Sequence, residues 1–184
     1  MPGARQSLSE EPARYATGPD YCRIFEEDMN RLYMLSFLLT ADHLLAERCF
    51  VQSLDDSARS SRVWKNWAQS WAVRTIVQNA NQMIRPRPGA GRISSHTSDR
   101  NAGHAKNEPA EIAAVIGLPA FERFAFVLSV LERYPDQECS LLLNCSRADV
   151  TAARAQALQL IGKSAELHRG LASFRSDEQV AASA

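Results

Sequence analysis

Few side chains in this sequence have both the type and the spacing to do chemistry. The histidines, His43, His96, His104 and His168, are scattered, and none suggests a nucleophile with its base. Cys22, Cys49, Cys139 and Cys145 form no C-x-x-C pair and have no histidine at metal-finger spacing. They are expected to be single thiols with structural roles. Gly89-Ala90-Gly91 is not followed by Lys-Ser/Thr, so it offers no phosphate-cradling loop. Neither catalysis, a metal nor a cofactor is expected. The remaining candidates are aromatic and cationic. Trp64, Trp67 and Trp71 interleave with Arg62, Lys65 and Arg74, a mixture suited to stacking on unpaired bases. The same spacing also fits a packed helix face, which is the expected place for Trp71, while Trp64 stays open between the two roles. Arg147, Thr151 and Arg154 are the polar residues of one helical stretch, and by themselves they fit a solvated helix face.

These residues need a scaffold, and the composition allows a globular one. Hydrophobic residues make up 45% of the 184 and charged residues 23%, which excludes a disordered or collagen-like chain. The 21 Lys and Arg balance the 21 Asp and Glu, so any nucleic-acid surface must be local. Residues 1–20 lack the apolar run of a signal peptide. The most apolar stretch, near Phe121 to Leu131, is interrupted by Glu122 and Arg123, so membrane insertion is not expected. The expected location is cytoplasmic.

Helical periodicity appears in two blocks, residues 21–84 and 109–171, between tails at 1–20 and 172–184. In the first, Phe25, Met29, Leu32, Leu35, Ser36 and Leu39 mark one helix face. Thr40 to Asp42 predicts a stop and restart, and a second helix runs from about His43 to Leu54. A third starts from a serine cap at 60 or 61 and carries Trp64, Trp67, Trp71, Ile76, Asn79 and Ala80 on one broad face. Residues 85–108 hold five Lys or Arg and several Pro and Gly, and read as a flexible basic linker. The fold class is therefore all-α: two small helical domains joined by this linker.

The second block opens at Leu118-Pro119, with proline suited to a first helical turn. Phe121, Phe124, Ala125, Val127, Leu128 and Leu131 follow as an apolar stripe. Arg133-Tyr134-Pro135 breaks the chain before a short helix from Asp136 to Leu143. After the step Asn144-Cys145-Ser146, Ser146 and Asp149 have capping-box spacing and predict a helix from Arg147. This is the shape of a helix-turn-helix.

Residues 122–158, ERFAFVLSVLERYPDQECSLLLNCSRADVTAARAQAL, resemble the promoter-binding region four of bacterial RNA polymerase sigma factors of the extracytoplasmic-function type. Residues 32–54, LYMLSFLLTADHLLAERCFVQSL, resemble the region-two helix pair of that family, and residues 71–80, WAVRTIVQNA, resemble the segment that follows it. The resemblance implies core RNA polymerase and promoter DNA as partners, with an anti-sigma protein as a further class of partner. It places polymerase contacts on Ala46, Glu47, Arg48, Val51 and Gln52. It places contacts with the upstream promoter strand on Asn79, Arg85 and Arg87, with Trp64 as the base-stacking candidate, and duplex reading on Arg147, Thr151 and Arg154. Arg85 and Arg87 also fit solvated linker charges. The chain diverges from the family pattern: Arg48 stands at a usual aspartate, Val51 and Gln52 at Gln and Glu, and Asn144 at the turn glycine. An alternative implied by that divergence is a sigma-like interaction module without promoter binding.

Overall fold

The computed structural model describes residues 14–60, 62–89 and 108–181, with side chains as far as Glu166. The expected linker lies outside the described residues from 90 to 107, as do residues 1–13 and 182–184 of the expected tails. Among the described residues every regular element is helical, and the one β-bridge joins Tyr15 to Trp64.

Helix α1, Gly18–Glu27, begins where the Asp20 carboxylate accepts hydrogen bonds from the Thr17 amide (2.9 Å) and hydroxyl (2.7 Å). The folded chain thus starts earlier than residue 21, and Ala16 is already buried. Helix α2, Met29–Thr40, follows after a break at Asp28. That break turns Met29 outward to 54% exposure, although its spacing places it with the buried Phe25 and Leu32. The expected stop and restart is present: Ala41 adopts φ 57°, and Asp42 accepts from the Leu45 amide at 2.9 Å to open α3, His43–Arg59. Helix α3 passes the expected end at Leu54 because Asp55 and Asp56 are not terminators here. Both pair with Arg59 along the helix, at 2.6 and 3.1 Å.

The third helix starts later than its tryptophans suggest. Arg62 at φ 68° redirects the chain, a 3-10 turn spans Lys65–Trp67, and α4 runs Ala68–Ile84. The second block begins with a helix that precedes the expected start at Leu118-Pro119, α5, Ala110–Ile116. Helix α6, Ala120–Phe126, continues as one π turn over Val127–Leu131, in which the Glu132 amide donates to the Val127 carbonyl at 2.9 Å. Helices α7, Asp136–Leu143, and α8, Arg147–Ala181, begin where the sequence places them.

The two blocks share one hydrophobic cluster. Phe25, Leu32, Leu39, Cys49, Ile76 and Val77 of the first block join Phe121, Phe124, Leu128, Cys139, Val150 and Ala157 of the second. At the junction lies Arg123, 4% exposed. Its guanidinium donates to the carbonyls of Leu39 (3.2 Å), Ile116 (3.4 Å) and Leu118 (3.0 Å). Two of these belong to the last turns of α2 and α5, where carbonyls lack helical partners and the helix dipole favours a cation. Burial lowers the Arg123 pKa to about 10, so it remains charged at neutral pH. Arg31 with Glu132 (2.9 Å), Arg74 with Glu138 (3.3 Å) and the Asn81 amide on the Leu142 carbonyl (2.9 Å) tie the blocks at their rim. No helix among the described residues is long and apolar enough to cross a membrane.

Candidate nucleic-acid and partner interfaces

The start of α8 is built by local chemistry. Asn144 takes φ 51°, a left-handed conformation that Asn adopts more readily than most residues, and this closes α7. Ser146 and Asp149 then form a reciprocal cap: the Ser146 amide (3.0 Å) and hydroxyl (2.7 Å) donate to the Asp149 carboxylate, and the Asp149 amide donates to the Ser146 hydroxyl oxygen (3.1 Å). These bonds favour the ionised carboxylate and hold the Asp149 pKa below the ordinary range. Inward, Val150, Ala153 and Ala157 enter the core at helical spacing.

The outward residues are unequal. Arg147 and Thr151 are exposed, while Arg154 is partly covered. The Arg154 fork engages both oxygens of Asp136, Nη1 on Oδ1 and Nη2 on Oδ2, the latter at 3.2 Å. The Thr151 hydroxyl lies 3.2 Å from the same carboxylate and 3.0 Å from the Arg147 carbonyl. The Asp136 pKa is held low, first by the hydrogen bond from Arg154. A single carboxylate from α7 thus engages two of the three expected readers. Nothing in the spacing of Asp136, fifteen and eighteen residues before its partners, signals this contact.

The residues expected to meet the promoter through the first block do not form one surface. Trp64 precedes α4 and Arg85 follows it, so the length of α4, about 25 Å, separates them. Asn79 lies between them and is buried at 4% exposure, with its amide donating to the Ser53 hydroxyl (3.0 Å) and Asp56 carboxylate (3.1 Å). A polar residue midway along a buried stripe is held by internal partners, so Asn79 serves the fold rather than the surface. Arg85 caps α4 at φ 51°, and both it and Arg87 are exposed. Trp64, half exposed, is covered on one side by Tyr15, with ring centroids 5.1 Å apart. Trp67, expected on the buried stripe, is 72% exposed because the 3-10 turn carries it outside α4. Trp71 is partly buried, and its indole N–H donates to Ser60 at 3.0 Å.

On α3, Glu47, Arg48, Val51, Gln52 and Asp55 line one shallow open depression. Four of these are the expected partner-binding residues, and the fifth extends the stripe by one turn. Ala46, expected among them, is fully buried against Phe37, Ala41 and Ile116. Its place three residues before the buried Cys49 puts it on the inward face. Leu44 and Val51, seven residues apart, are both 63% exposed on the outward face, giving it apolar anchors among charges.

No family model, no curated protein sequence and no solved structure matches this chain.

Proposed function

We propose that the chain is a sigma-factor-like transcription initiation factor. Its α3 face binds core RNA polymerase, and the first turns of α8 address duplex promoter DNA. The observation that carries this reading is the pair α7 and α8 around Asn144-Cys145-Ser146, with a short helix, a left-handed step and a capped second helix whose Arg147 faces solvent. The exposed stripe of Leu44, Glu47, Arg48, Val51 and Gln52 supports the polymerase contact, because an α-helix offering apolar anchors between charges suits docking on another helix. The exposed Trp67 and half-exposed Trp64, beside Lys65, support capture of unpaired bases by stacking.

A second reading is a sigma-like interaction module that regulates by occupying a partner's sigma-binding surface. The hold of Asp136 on Arg154 and Thr151 favours it, since those groups are then occupied within the chain. Both readings place function on surfaces rather than in a catalytic pocket.

The test is a pull-down with purified core polymerase followed by run-off transcription on genomic fragments. Glu47→Lys is expected to weaken the pull-down with helicity intact, because reversal of an exposed charge usually changes stability by less than about 0.5 kcal/mol. Arg147→Ala is expected to spare the pull-down and reduce transcription. Polymerase binding without transcription from any fragment favours the interaction module, and absence of polymerase binding overturns the initiation-factor reading.

A further inference from the structure

The Asp136 carboxylate stands where an external anion would act if α8 reads DNA. Arg154 offers it the two-pronged donor edge that arginine uses toward phosphate or a guanine edge, and Thr151 adds its hydroxyl. Asp136 is itself well placed: it occupies the first turn of α7, where the helix dipole favours negative charge. Its depressed pKa keeps it ionised at neutral pH. The other carboxylate of that turn, Glu138, faces the opposite way and pairs with Arg74 of α4. Helix α7 thus presents one acid to the candidate reading helix and another to the first block.

We propose that Asp136 is an internal competitor for DNA, a carboxylate that occupies Arg154 and Thr151 and so limits the affinity and base preference of α8. This inference rests on the DNA-binding reading given above and names the residue that tunes it. To meet a phosphate or a base, Arg154 exchanges Asp136 for the new partner. The exchange leaves an unpaired carboxylate beside a polyanion, and the resulting repulsion offsets part of the new contact. Arg147, exposed one turn before Thr151, makes first contact, and Arg154 adds to binding only when Asp136 releases it.

The experiment is a duplex-DNA titration of the full chain, followed by fluorescence anisotropy across a salt series. Asp136→Asn keeps the shape of the side chain and removes its charge. It is expected to tighten binding about five-fold at low salt and to steepen the dependence of log K on log salt by roughly one. Adding Arg154→Ala to Asp136→Asn is expected to abolish that gain. Asp136→Ser is read in the same way, and circular dichroism of each variant checks that the helices are kept.

Binding by the Asn and Ser variants that is unchanged or weaker than the parent's overturns the proposal, because it makes Asp136 a support for Arg154 rather than its competitor. In that case, weakening by Arg147→Ala still reports DNA reading by α8. A gain that survives Arg154→Ala also overturns the proposal. Failure of the parent and every variant to bind DNA at low salt overturns the DNA-binding reading and this inference together.

Discussion

Three carboxylates, Asp20, Asp136 and Asp149, have pKa values held low by hydrogen bonds from Thr17, Arg154 and Ser146 respectively. Since the folded values lie below the unfolded value near 4, these groups contribute stability that is complete above that value. It is lost as pH falls through the lower folded values, where the native state at last takes up the same protons. The melting temperature is expected to stay level from about pH 7 to 5 and to fall below about pH 4. Asp149→Asn is expected to flatten that acid fall, as measured by thermal circular dichroism at each pH. The Asp149 contact was legible in the sequence, because a cap and its partner stand three residues apart. The Asp136 contact was not, since it depends on how two helices meet across a turn. Asn79 shows a mixed case: its place on the apolar stripe predicted burial, while the family resemblance placed a promoter contact on it, and its side chain is held by internal partners.

At the level of elements, helix starts and stops at Ala41-Asp42 and Asn144-Ser146 followed from cap chemistry, which acts over three or four residues. The late start of α4 did not, because Arg62 at φ 68° is a conformation that no local preference of arginine predicts. The exposure of Trp67 follows from that turn. Arg123 joins three elements, and its neighbours are carbonyls rather than acids. Arg123→Ala is expected to cost about 2 to 4 kcal/mol in urea unfolding, because it strands buried carbonyls and opens a cavity together. Arg123→Lys, which keeps the charge but has no planar fork, is expected to recover only part of that loss. Full recovery by lysine would show that charge at the helix ends suffices without the geometry.

For the whole molecule, the hydrophobic cluster shared by the blocks predicts cooperative unfolding. Every tryptophan lies in the first block, at positions 64, 67 and 71, whereas helix content samples both blocks. Tryptophan fluorescence and far-ultraviolet circular dichroism are therefore expected to give one coincident midpoint in urea. Separate midpoints would show that the blocks unfold independently. The helical class was legible from periodicity, but the core shared by residues of both blocks was not, since an apolar stripe does not say which stripe it meets. The π turn at Val127–Leu131 bears on how this chain tolerates a change in length. Its loop from the Val127 carbonyl to the Glu132 amide takes in one residue more than an α turn. Deleting Ser129 lets that loop close to α geometry and keeps the helical phase of the residues beyond it, so Glu132 stays opposite Arg31. Deleting Gln78, an exposed residue within the regular turns of α4, instead turns the rest of that helix by about 100° and carries Asn81 away from the Leu142 carbonyl. The chain is expected to keep its cooperative melt after the first deletion and to lose it after the second, so the π turn is where this helix can be shortened by one residue.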